Sequence, residues 1–215
     1  MKVVVAGASG LVGGKLVAEL LESAKVTKVI CLVRREFSLP QYPSGHRKLA
    51  FKMVDFNHLP SPTEEAEVGF CCLGTTMKKA GSREAFRLVD HDFVMNFAGY
   101  CLAASVRHFS LVSSVGARAG SPFFYNRVKG ATEDGLRSLS FSRLSIYRPS
   151  LLVGERKEAR LGEDAATVVY KMLGKGALKA WLGTEVKNLV GAMVTGALGE
   201  GSGNGVEVIG PREIG

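Results

Sequence analysis

Three features are missing from this chain of 215 residues: a long apolar run, cysteines at the paired spacings of a zinc site, and a basic segment interleaved with aromatic residues. No uninterrupted apolar stretch reaches the roughly 18 residues that a membrane-spanning helix needs. The first apolar run is only three valines and an alanine before glycine, which is unlike a secretory leader. These absences predict a soluble, cytoplasmic protein without a membrane anchor.

The four histidines are scattered along the chain, and neither they nor the four cysteines show the spacings that zinc sites use. We therefore expect no metal. The net charge of +8 raises nucleic acid as a partner. However, the basic residues occur as isolated pairs, so we expect a solvated surface with a few phosphate-facing cations and no nucleic-acid binding.

Strand-like and helical segments alternate along the chain. β-Branched and apolar runs predict strands at 2–6, 28–33, 49–54, 68–73, 108–113, 144–148 and 206–209, and helical periodicity covers 12–23, 83–104, 125–139, 164–173 and 185–198. Continuous apolar strands between helices indicate a parallel sheet covered on both faces. The sequence thus predicts an α/β fold: a Rossmann-type, doubly wound parallel sheet flanked by helices. We expect one domain over residues 1–215, with about 154–200 forming a small C-terminal substrate-side segment.

The glycine-rich turn after the first strand is the most informative motif. Gly7, Gly10 and Gly13 lie between that strand and the first helix. Glycines let the backbone approach a pyrophosphate closely, and the helix N-terminus offers unpaired N–H groups and a positive dipole end. This context predicts a dinucleotide site.

The ends of the next strands refine that prediction. Arg34 and Arg35 follow the second strand, where an NAD-binding domain of this type carries an acidic residue for the ribose. A guanidinium matches a 2′-phosphate, so NADP(H) is the expected cofactor rather than NAD. Asp55, after the third strand, could accept from the adenine amino group or simply cap a loop. Gly74, after the fourth strand, lets the backbone pass close to the cofactor.

The chemistry-bearing residues follow the fifth strand. Tyr125 and Lys129 are four positions apart, so they share one face of a helix. A phenol titrates near pH 10, and a neighbouring ammonium favours the phenolate. Ser114, with Ser113 as the alternative, could donate to a substrate oxygen. The set predicts hydride transfer between nicotinamide and a carbonyl carbon, with the tyrosine moving the proton.

With these motifs the chain resembles the short-chain dehydrogenase/reductase superfamily, and more closely its atypical branch that includes the human Tat-interacting oxidoreductase and fungal mitochondrial proteins. The matching stretches run from residue 1 to about 160, and the run Cys-Cys-Leu-Gly-Thr-Thr at 71–76 is quite specific. The resemblance implies an NADP(H)-binding domain with Tyr125 as proton donor or acceptor. It further implies cofactor contacts at Ser9, Gly10, Leu11, Val12, Arg34, Arg35, Leu73, Gly74, Lys129, Leu152 and Arg160.

The expected function is that of an NADP-dependent oxidoreductase acting on a small carbonyl or alcohol. The alternative is an NADP(H)-sensing interaction module with little or no turnover. Dimers through long helices are common in the superfamily, so the resemblance leaves a homodimer open.

Overall fold

The computed structural model describes residues 1–36, 46–153, 183–199 and 203–215. Within these ranges the strands are β1 (Lys2–Ala6), β2 (Lys28–Val33), β3 (Leu49–Met53), β4 (Val68–Cys71), β5 (His108–Val112), β6 (Arg143–Tyr147), β7 (Leu152–Val153), β8 (Thr184–Glu185) and β9 (Gly205–Ile209). The helices are α1 (Leu11–Glu22), α2 (Met77–Ala80), α3 (Arg83–Arg87), α4 (Phe93–Ala103), α5 (Phe124–Arg137), α6 (Val186–Leu198) and α7 (Pro211–Ile214). A π-helical turn, Leu88–Asp92, joins α3 to α4.

The main sheet has seven parallel strands in the order β3-β2-β1-β4-β5-β6-β9. The strand order reverses between β1 and β4, which leaves a crevice at their carboxyl ends. The predicted doubly wound fold is confirmed. β7 and β8 form a separate, short parallel pair.

Both faces of the central strands are buried, and successive side chains of each strand point to opposite sides of the sheet. Val3 and Val5 of β1 pack with α1 and α6, while Val4 and Ala6 pack with α4 and the end of α5. This double burial explains why the central strands read as unbroken apolar runs rather than as alternating patterns.

Several predicted boundaries differ from the structure. The helix expected over 83–104 consists of α3, the π turn and α4, since the backbone widens to i→i+5 bonding between Leu88 and Phe93. β4 ends at Cys71, two residues earlier than the predicted end at residue 73. The helix expected at 164–173, and most of the substrate-side segment at 154–200, lie outside the described residues.

Candidate functional site

The backbone of the glycine turn after β1 packs so closely that it leaves no room for a Cβ atom at two of its glycines. Gly7 has a φ of +87°, and a Cβ there would lie 2.4 Å from the carbonyl oxygen of Cys72. A Cβ on Gly13 would lie 2.2 Å from the carbonyl oxygen of Gly7. Glycine at both positions therefore lets α1 begin tightly against the end of β1.

The N-terminus of α1 suits an anion. Gly10 is the N-cap residue and brings no side chain to the first free N–H groups of the helix, and the first turn carries no acidic residue. Ser9 is exposed and Leu11 half-buried, whereas the Val12 side chain packs in the core, so Val12 can offer a ligand only its backbone. These features fit the pyrophosphate of a dinucleotide.

Arg34 and Arg35 lie at the carboxyl end of β2 and are both exposed. β2 neighbours β1 in the sheet, with Leu32 paired to Ala6, so the arginines follow the strand beside the glycine turn. Asp55 is also exposed, and its Oδ1 accepts 2.9 Å hydrogen bonds from the backbone and side chain of Asn57. These hydrogen bonds lower the pKa of Asp55. The geometry is that of the loop cap, and an adenine contact stays a prediction.

Gly74, after β4, brings the backbone beside a buried ion pair. A Cβ at Gly74 would lie 3.5 Å from Asp90 Oδ1 and 3.7 Å from Lys129 Nζ. The neighbouring Leu73 is half-buried, as is Leu152 in β7. Arg160, expected at the cofactor, lies outside the described residues.

Tyr125 and Lys129 occupy successive turns of α5. Tyr125 is 36% exposed, and its ring lies 5.4 Å from that of Phe86. Lys129 is buried, with its Nζ 2.7 Å from Asp90 Oδ1. Burial has the largest single effect on the pKa of Lys129 and acts to lower it, but the charge and hydrogen bond of Asp90, together with Tyr125 and Cys71, outweigh burial, and the net pKa is raised. The site therefore holds a permanent ammonium group inside the protein.

The two candidate serines have different partners. Ser113 is buried and donates a 2.6 Å hydrogen bond to Glu133, which also accepts from Arg148 Nε at 3.0 Å. Ser114 is half-buried, and its hydroxyl makes a 3.5 Å contact with the carbonyl of Val115. Of the two, Ser114 is the serine whose hydroxyl can turn toward a ligand.

Asp90 was missed by sequence reasoning. It is 1% exposed, and its Oδ2 accepts a 2.8 Å hydrogen bond from the N–H of Thr75. The available signal was a carboxylate on the apolar face of a helical segment, four residues after Phe86 and three before Phe93.

The fold, its switch-point crevice and the glycine turn define a dinucleotide-binding domain of the Rossmann type. Residues 7–142 match the family model described as NAD(P)H-binding, and the chain belongs to this family. The resemblance to the Tat-interacting branch of atypical short-chain dehydrogenases/reductases is confirmed: the chain is 36% identical to Protein HTATIP2 of Rattus norvegicus, over 94% of this chain and 83% of that protein.

Fungal relatives are similar over somewhat less of the chain. Protein fmp52, mitochondrial, of Emericella nidulans is 32% identical over 79% of this chain and 74% of its own length. The Candida albicans protein of the same name is 33% identical over 79% and 75%. These mitochondrial names contradict the expectation of a cytoplasmic protein. That expectation rested on missing apolar segments, and such an absence does not determine a compartment.

Among solved structures, MoeE5 in complex with UDP-glucose and NAD superposes with a TM-score of 0.69 at 18% identity, covering 98% of this chain and 76% of MoeE5. DesIV, a dTDP-glucose 4,6-dehydratase from Streptomyces venezuelae with NAD bound, gives 0.70 at 16% identity over the same shares. At such identities the likeness establishes the fold alone. Within the described residues, no helix is long and apolar enough to cross a bilayer.

Proposed function

We propose that this protein is an NADP(H)-dependent oxidoreductase that transfers hydride between nicotinamide and a small carbonyl or alcohol. The observation that carries the proposal is the buried Lys129 ammonium, which lies one helical turn from Tyr125 and beside Gly74 at the crevice edge. An ammonium in this position serves a proton-transferring phenol and a sugar hydroxyl equally well.

Separate groups bind the cofactor and carry the proton transfer. The glycine turn holds the pyrophosphate through backbone N–H groups, and Arg34 and Arg35 bind the 2′-phosphate. Lys129 donates to the nicotinamide ribose, and Ser114 donates to the substrate oxygen. Tyr125 gives or takes the proton of that oxygen. The bound cofactor supplies the hydride.

Cofactor choice tests the arginine assignment. Binding of NADPH and NADH is compared by fluorescence titration in the parent chain and in the Arg34→Ala/Arg35→Ala variant. We expect NADPH affinity to fall by about tenfold or more, since two charge-assisted contacts are lost, while NADH affinity changes little. Arg212→Ala, an exposed arginine on α7, is the control. Equal losses for both cofactors would refute the assignment.

Turnover is tested by following NADPH oxidation against a panel of aldehydes and ketones. Tyr125→Phe should lower kcat by about a hundredfold or more, because general acid–base catalysis contributes at least that much, without weakening NADPH binding. Tyr100→Phe removes a hydroxyl from α4 and should leave turnover unchanged. Full activity in Tyr125→Phe would contradict the mechanism. NADPH binding without turnover of any carbonyl would instead support the sensing module.

A further inference from the structure

Asp90 lies in the π turn between α3 and α4, 39 residues before Lys129 in sequence and in direct contact with it. We propose that Asp90 is a positioning residue, which fixes the Lys129 ammonium at the cofactor site and keeps it charged. The inference rests on the proposed function, in which the ammonium binds the nicotinamide ribose and lies near the phenol of Tyr125.

Asp90 is anchored from three sides. Its Oδ2 accepts from the backbone N–H of Thr75 at 2.8 Å, and its carbonyl accepts from Thr132 Oγ1 at 2.9 Å. The remaining oxygen, Oδ1, lies 2.7 Å from Lys129 Nζ. One residue thus ties the loop after β4 to α5, the helix that carries Tyr125. A carboxylate so restrained leaves the ammonium little freedom.

Asp90 also supplies the charge that Lys129 needs. The groups that act on Lys129 are Asp90 from the π turn, Tyr125 from its own helix and Cys71 from the end of β4. Burial raises the pKa of Cys71 to about 12, so its thiol is neutral at physiological pH. Asp90 is the carboxylate that faces Lys129, with its Oδ1 2.7 Å from the lysine Nζ. An ammonium buried without such a partner loses its proton readily.

A π turn in a helix is uncommon and occurs frequently at functional sites. Here the turn holds both a half-buried and a buried carboxylate. Asp92 pairs with His91 at 2.6 Å near the surface, whereas Asp90 faces Lys129 in the interior. The two carboxylates provide a matched pair for experiment, two residues apart in the same turn.

The experiment measures NADPH affinity by fluorescence between about pH 7 and pH 9.5, in the parent chain and in Asp90→Asn, Lys129→Met and the double variant. We expect the parent affinity to stay flat over this range. In Asp90→Asn it should fall by about tenfold or more as the pH rises, because unpaired Lys129 deprotonates within the range. Lys129→Met should bind weakly at every pH, and the double variant should match Lys129→Met, since Asp90 acts through Lys129.

Asp92→Asn is the control and should follow the parent curve. A flat Asp90→Asn profile, or a double variant clearly weaker than Lys129→Met, would overturn the inference while leaving the proposed function intact. A parent chain that binds no NADPH would overturn both. If Asp90→Asn does not fold, the parent titration still decides: an affinity that falls between about pH 7 and pH 9 shows that Lys129 is not held in its charged form.

Discussion

Acidification should destabilise this protein through one buried histidine. His108 is 8% exposed at the start of β5, and its Nε2 lies 2.7 Å from Ser145 Oγ. The Ser145 hydroxyl donates to Glu207, so the proton between histidine and serine belongs to the histidine. Arg143 pairs with the same Glu207 oxygen at 2.6 Å. The network thus fixes His108 as the Nε2–H tautomer, already satisfied without a charge.

The size of the stability loss at low pH follows from the pKa of His108. Burial first, and then the positive charge of Arg143, lower this pKa from 6.5 to about 4, although Glu207 opposes them. The unfolded chain therefore takes up a proton below about pH 6.5, whereas the folded protein does so only near pH 4. Stability is fully present above pH 6.5 and declines as the pH falls through this window. At about 1.4 kcal/mol for each pKa unit, the loss approaches about 3 kcal/mol.

The assay is urea unfolding, followed by circular dichroism, at about pH 7 and pH 4.5 for the parent and His108→Gln. Glutamine keeps an N–H donor for Ser145 but does not titrate. Carboxylates lose stability in both proteins, so the difference between them isolates His108. We expect the parent to lose about 2 kcal/mol more than the variant over this interval. Parallel losses, or an NMR titration placing the pKa of His108 near 6.5, would refute the reasoning.

Two further pairs of substitutions, each a test with its control, probe buried contacts. Ser113→Ala should lower the free energy of unfolding by about 1–2 kcal/mol, because Glu133 loses a hydrogen bond in the interior. Ser114→Ala should change the free energy of unfolding by less than about 0.5 kcal/mol yet abolish carbonyl turnover. The reverse pattern would mean that the two serines have exchanged roles. Gly196→Ala in α6 should cost about 1–3 kcal/mol in urea unfolding, since its Cβ would lie 2.5 Å from the hydroxyl of Tyr147. Gly191→Ala in the same helix meets nothing within 4 Å and should be neutral or stabilising.

The sheet could be predicted because its signals are local. β1 and β2 have the predicted bounds, since each is an apolar run that begins beside a lysine and ends at glycine or arginine. The glycine turn could also be predicted from the sequence, because positive φ and close packing at Gly7 require glycine there. Strand ends were less certain: β4 stops at Cys71, where pairing with neighbours rather than residue type decides the limit.

The choice between Ser113 and Ser114 depends on packing that sequence does not record. Successive residues at a strand end face opposite ways, so one of the two serines must turn inward. The structure turns Ser113 inward because Glu133, 20 residues later, accepts its hydroxyl together with Arg148. Neither partner carries a local signal that points to β5.

Two buried carboxylates contact side chains of α5, and their partners distinguish what each does. Glu133 accepts from Ser113, Arg137 and Arg148, so its charge is taken up by groups that join β5, β6 and α5. One carboxylate oxygen of Asp90 accepts from the backbone N–H of Thr75, and the other faces Lys129. A carboxylate among arginines holds strands and helix together, whereas one that faces a lone buried lysine also decides whether that lysine is charged. Under the proposed function the second arrangement acts at the cofactor site, so substitution of Asp90 should change ligand binding as well as stability.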